Sequence, residues 1–162
     1  MPADDVETVF RDAMASLASG VAVLTARRDD GAACGLVATS LAAYSARPPS
    51  VLVSIGHTSR CHEALADGPE FGVHLLAADQ EPLAHVFADP NREDKFGGVQ
   101  WAWDGIVPDI TGTLAYLHCR RSARFDLYDH TILIGDVQGG RLGHGDPLDY
   151  LNRHMGWRLS AE

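Results

Sequence analysis

Two long strand-like stretches lie back to back near the C-terminal end, and they constrain the fold more than any other feature. GTLAYLHCRRSARFDL (112–127) and DHTILIGDVQGGRL (129–142) are separated by one residue, Tyr128. Both are rich in β-branched and aromatic residues. So short a connection makes them antiparallel partners. The rest of the chain supplies more strands. VAVLTARR, a turn at DDG and AACGLVATSL read as a second hairpin. RPPSVLVSIG is a Pro-bounded apolar strand from Ser50 to Ile55, and EFGVHLLA is another.

Three helices interrupt this pattern. Val6, Val9, Phe10, Ala13, Met14 and Leu17 recur at helical spacing before Gly20, which predicts an amphipathic N-terminal helix. TSRCHEALAD predicts a short helix capped by Thr58 or Ser59. DQEPLAHVFA predicts a third, with Asp79 as cap and Pro82 in its first turn. Residues 89–111 read as loop-rich, and DPLDYLNRHMGWRL as a loop with a final short strand. At least six strands, mostly in hairpins, with three inserted helices predict a mainly β fold. A closed or nearly closed antiparallel barrel with inserted helices is favoured over a doubly wound sheet, in one domain over 1–162.

Charge and motifs narrow the function. The net charge of −9 argues against nucleic acid as a partner. No apolar run approaches the ~20 residues of a membrane span. MPADDVETVF lacks the basic-then-apolar order of a signal peptide, so a cytoplasmic protein is expected. Three scattered cysteines, Cys34, Cys61 and Cys119, fit a reducing compartment. Arg120, Arg121 and Arg124 are expected to be a solvated strand or hairpin end. No G-x-G-x-x-G follows a strand, and neither a Walker A sequence nor a G-x-S-x-G is present. His57, Cys61, His62, His118 and Cys119 invite a metal, but H-x-x-x-H, H-E-x-x-H and C-x-x-C are all missing. His57 falls before its helix, and His118 and Cys119 point to opposite strand faces, so no metal site is expected.

Three segments leave chemistry open. In GHTSR (56–60), Thr58, Ser59, Arg60 and the first free N–H groups of a helix could receive a phosphate. The same residues also describe an ordinary helix cap with a solvated arginine. Cys61 is either a thiol activated by the helix start or a small packing residue. Asp129 and His130 stand just ahead of Thr131–Val137, which reads as a buried strand. They either open onto a site, or cap a turn and satisfy a buried carbonyl.

Taken in order, the segments resemble the flavin reductase-like family. FRDAMASLASGVAVLTA is similar to its opening helix and G-V-x-V-x-T strand. CGLVATSLAAYSARPPSVLVSI is similar to its run from G-x-T-x-x-S through S-x-x-P-P. TSRCHEAL stands at its hydroxyl-rich phosphate turn. FGVHLLAADQEPLAHVFA carries its F-x-V-x-x-L, D-Q and F-A, and DKF, TGTLAYLHC and DHTILIGDV follow. The resemblance covers about residues 8–150. Tyr128 stands where the family reads glycine, Val37 where it reads threonine, and Ala42 and Ala43 where hydroxyls are frequent. Cys61 replaces a threonine or serine at the phosphate turn.

The resemblance implies a split β-barrel of the FMN-binding type and an NAD(P)H:flavin oxidoreductase. It implies FMN or FAD and NADH or NADPH, a homodimer, and a partner monooxygenase that receives reduced flavin. By that analogy Thr39 and Ser40 line the flavin ring edge, and Ser45 lies near the ring or ribityl chain. Thr58, Ser59 and Arg60 meet the flavin phosphate, and Phe87 packs near flavin or nicotinamide. His130 is the catalytic candidate on the nicotinamide side, since an imidazole can donate a hydrogen bond in either charge state. Asp129 fixes its tautomer or caps the turn. The alternatives are a non-catalytic flavin- or heme-binding module on the same barrel, and a scaffold serving only dimerisation. YDHTILIG speaks for the reductase, because it keeps the histidine.

Overall fold

The computed structural model describes residues 3–156. In chain order the elements are α1 (Ala3–Ala15), β1 (Ser19–Gly20), β2 (Ala22–Arg27), β3 (Ala33–Ala38), β4 (Ala42–Ala46) and β5 (Pro49–Gly56). Then come α2 (His62–Asp67), β6 (Glu70–Leu75), a 3₁₀ turn (Ala78–Gln80) and α3 (Glu81–Ala88). They end with β7 (Trp101–Asp104), β8 (Val107–Ile110), β9 (Ala115–Leu127), β10 (His130–Leu142), β11 (Asp149–Leu151) and β12 (His154–Met155).

The centre is a seven-stranded sheet in the order β3-β2-β6-β9-β10-β5-β4, with every neighbouring pair antiparallel. The β9–β10 hairpin is its spine, in register from Leu127–His130 to Ala115–Leu142. That register slips twice, at Val137/Gly139 and at Ile134/Gly135. A Cβ on Gly135 would stand 2.5 Å from the Phe71 ring, so the second slip sits where only glycine leaves that ring room. The sheet curls until β3 and β5 approach. Ser40, just past β3, hydrogen-bonds both backbone groups of Ser54 on β5. A side chain thus spans the gap where no regular ladder forms.

Strand β2 is buried on both faces, which is why VAVLTA reads as a continuous apolar run. Ala22, Leu24 and Ala26 join Val53, Phe71, Leu133 and Leu65 of α2 in one core. Val21 and Val23 face the other way, toward Leu76, Phe87 of α3, Phe96, Ile110 and Leu148. The one buried polar side chain of β2, Thr25, donates to the Pro108 carbonyl at 2.7 Å. That bond ties the β7–β8 hairpin to the sheet.

Several sequence expectations need correction. The apolar stripe of α1 is not buried: Val6, Val9, Phe10 and Met14 are all exposed. The helix is held at its end, where Asn152 donates to the Ala15 carbonyl and Arg153 pairs with Asp12. α2 begins at His62, with neither Thr58 nor Ser59 as its cap. Ser59 Oγ instead accepts from the Cys61 N–H at 3.2 Å, which stabilises the turn ahead of the helix. At α3 the cap position belongs to Gln80, not Asp79, and no side chain caps the helix; Gln80 Oε1 instead accepts from the Ala77 N–H at 2.8 Å and closes the 3₁₀ turn ahead of it. Residues 89–111 are not all loop, because D-G at 104–105 turns β7 into β8. The tail forms β11 and β12 beside β1, and its segment 157–159 lies outside the described residues.

Candidate functional site

Strand β5 ends and β10 begins at the same place, since Gly56 pairs with His130. Two turns leave this edge. One is Tyr128–Asp129, ahead of β10; the other is residues 57–61, after β5. The His57 N–H donates to the Asp129 carbonyl at 2.9 Å and binds the turns together. Tyr128 adopts φ 55°, the left-handed conformation that glycine takes freely. The chain therefore keeps the glycine-type turn without the glycine.

His130 stands on that turn with its side chain 53% exposed. Among the described residues it satisfies no buried carbonyl. Nδ1 lies 2.8 Å from Asp129 Oδ1, so Nδ1–H donates to the carboxylate, and Nε2, beside Gly56, has no hydrogen-bond partner among the described residues. The imidazole in turn holds the Asp129 carboxyl below the usual carboxylate range.

The 57–61 turn supplies donors. Thr58 and Arg60 are exposed, and Arg60 has no ion-pair partner among the described residues. Sequence reasoning used DKF only as an order marker and missed a second cation, Lys95. Its ammonium donates to the Phe87 carbonyl at 2.8 Å, and burial together with the nearby Arg60 charge pulls its pKa below the usual lysine range. A chain of net charge −9 thus keeps two adjacent cations at one corner. α2 has six residues, too short to add much dipole, so side-chain charge and turn N–H groups carry the anion affinity here.

The remaining predicted residues separate. Ser40 joins the edge through Ser54, two residues before Gly56, and Thr39 lies exposed beside it. Ser45 is on the outer strand β4, where its hydroxyl accepts from the Arg47 N–H at 3.1 Å. Phe87 is 1% exposed and offers no face to a ligand. Its ring packs against Phe96 at 5.1 Å, and a Cβ on Gly35 would come within 2.7 Å of it. Phe87 is therefore a packing residue that presents its carbonyl to Lys95. Cys61 is buried, and burial pushes its thiol up, with contact from Cys34 adding to the effect. It is no activated nucleophile.

The histidines behave unlike their spacing. His118 and Cys119 do diverge, and His118 lies between Glu70 and Asp104 at 3.0 and 2.9 Å. His57 and His62 converge, however. Both Nε2 atoms reach the Thr131 hydroxyl, at 3.0 and 2.8 Å, and that hydroxyl also donates to Asp126 at 2.5 Å. Spacing places His57 before its helix and so apart from the helix residues; a turn residue and a helix-start residue meet all the same. The basic cluster is paired as well as solvated: Arg124 binds Asp67 and Asp126, Arg121 donates to the Gly68 carbonyl, and Arg120, itself exposed, lies 3.7 Å from Asp136.

The model of the flavin reductase like domain matches residues 14–157. The chain belongs to this family. It is 38% identical over 149 residues to the FMN reductase (NADH) SmoA of Agrobacterium fabrum, covering 91% of this chain and 84% of that protein. It is 38% identical over 130 residues to the reductase component of the flavin-dependent trigonelline monooxygenase of Acinetobacter baylyi. That match covers 80% of this chain but 42% of the longer relative. Among solved structures, the NADH:FAD oxidoreductase SgcE6 of Streptomyces globisporus, in complex with NAD and FAD fragments, superposes with a TM-score of 0.87. It is 29% identical, over 99% of this chain and 95% of that one. The mainly β architecture is that of the flavin reductases. The donor set fits a flavin nucleotide: two cations, an exposed hydroxyl and turn N–H groups suit a phosphate. Among the described residues, no helix is long and apolar enough to cross a membrane.

Proposed function

We propose that this chain is an NAD(P)H:flavin oxidoreductase that passes reduced FMN or FAD to a partner monooxygenase. One observation carries the reading within the family frame: His130 and the Arg60–Lys95 corner occupy the same end of β5, joined by the 57–61 turn. When bound, flavin supplies an acceptor at N5 for hydride from the nicotinamide.

The chain's own groups bind and orient. Arg60, Lys95, Thr58 and Ser59 hold the flavin phosphate. Thr39 and Ser40 border the flavin ring, with Ser45 toward the ribityl chain. His130 contacts the nicotinamide side through Nε2, and Asp129 holds its ring from the other nitrogen. No nucleophile is required, in keeping with a buried Cys61. The exposed apolar face of α1 supports a homodimer in which a second copy covers that face. NADH or NADPH is the donor, and the cytoplasm is the place of action.

The test is aerobic oxidation of NADH and NADPH with added FMN, FAD or riboflavin. Flavin-dependent turnover is expected, and its rates rank the two nicotinamides. No turnover with any pairing, in a protein that binds flavin tightly, overturns the reading and leaves a binding module.

A further inference from the structure

One group of side chains converges beside this site without a part in hydride transfer. His57 comes from the turn after β5, His62 is the first residue of α2, and Asp126 lies on β9. Their donor atoms all lie within 4.8 Å of one another. The two rings meet edge to face, with centroids 4.9 Å apart. At the centre is the Thr131 hydroxyl, whose residue is fully buried, so the cluster is built on a fixed floor.

We propose that His57, His62 and Asp126 bind one divalent transition-metal ion of the zinc class. A tetrahedral ion with bonds of about 2.0–2.1 Å needs its donors roughly 3.3–3.5 Å apart. His57 Nε2 and Asp126 Oδ1 are 3.7 Å apart, which small side-chain movements close. Without metal, Thr131 gives its proton to Asp126 and accepts Nε2–H from each ring. Metal binding needs each neutral ring to carry its proton on Nδ1 instead, so the rings exchange tautomer and lose no proton. Arg124 grips both oxygens of Asp126 and orients the carboxylate as an outer-shell partner does. The guanidinium charge weakens a cation's binding, but Asp67 also pairs with Arg124 and offsets it. Two imidazoles and one carboxylate favour zinc, cobalt, nickel or copper over magnesium and calcium.

The site is coupled to the reductase reading, on which this part rests. His57 adjoins Thr58, and its N–H holds the Asp129 carbonyl. A metal on His57 would clamp the 57–61 turn and slow turnover.

The experiment uses untagged, chelator-treated protein titrated with cobalt(II), followed by visible absorption and equilibrium dialysis. One cobalt per chain is expected, with the intensified bands of a low-coordinate site, displaced by zinc and not by magnesium. H62Q keeps a hydrogen-bonding amide for Thr131, and D126N keeps the shape of the carboxylate. Each should bind cobalt about tenfold more weakly or worse. Wild-type protein that binds no more tightly than these variants overturns the site. Zinc should slow wild-type turnover, reversibly with chelator, and slow D126N less relative to its own metal-free rate; equal slowing overturns the coupling. The cobalt spectrum decides the site even if the protein oxidises no nicotinamide.

Discussion

The Ser40 hydroxyl accepts from the Ser54 N–H at 3.1 Å and donates to the Ser54 carbonyl at 3.0 Å. One side chain thereby does the work of a strand pair between β3 and β5. Ser40→Ala should lower stability by about 1 kcal/mol, with little change in denaturant slope. Urea unfolding measures both. An unchanged midpoint would mean that water replaces these bonds at no cost.

His130 is oriented by Asp129 at 2.8 Å and is open to solvent. His130→Ala should reduce kcat/KM for the nicotinamide by about a hundredfold, in the range of a lost proton-transfer or orienting group. Asp129→Asn should cost less, because it leaves the imidazole in place. Steady-state kinetics with saturating flavin separate the two.

Lys95 stands beside Arg60 and makes no ion pair among the described residues. Lys95→Met should raise KM for FMN about tenfold and leave that for riboflavin, which has no phosphate, almost unchanged. A similar rise for both flavins would move Lys95 away from the phosphate.

The uncovered stripe on α1 predicts an interface. Phe10 is 63% exposed on it. Light scattering should give the wild type twice the chain mass and Phe10→Asp the mass of one chain. An unchanged mass in the variant would place the interface elsewhere.

His118 and Asp104 predict a pH signature. Burial opposes the His118 charge, but the hydrogen bonds it donates to Asp104 and Glu70 outweigh that and raise its pKa. Its stabilisation is fully present below the unfolded value of about 6.5 and is lost as pH rises through the folded pKa. The His118 hydrogen bond lowers the Asp104 pKa, so that contribution is lost as pH falls below the ordinary carboxylate range. The pair should therefore contribute most in mildly acid solution. The gap in urea midpoint between wild type and His118→Gln should narrow as pH rises past neutrality.

Local pattern and local turns were legible in the sequence. The strands 22–27, 33–38, 49–56, 70–75, 115–127 and 130–142 stand where alternation and turn residues put them. Long-range convergence was not legible. His57 and His62 meet through a turn whose path no periodicity describes, and Lys95 comes within the electrostatic influence of Arg60 from a segment that reads as loop-rich. The α1 stripe was legible as a helix but not as an uncovered one, because amphipathicity says that a face will be covered and not by which chain. Phe87 was misplaced because an F-A motif marks a position in a family, not the direction of a ring.

Strand β4 ends the seven-stranded order, and its register slips between Ala43 and Ser45. It is five residues long and runs into Pro48 and Pro49. An open sheet edge is ordinarily a template on which further chains add strands and grow into aggregates. Here the slip breaks the regular row of donors and acceptors, and the prolines remove two donors just beyond it. The β4 edge of this sheet is a poor template for polymer growth as well as a terminus for the fold.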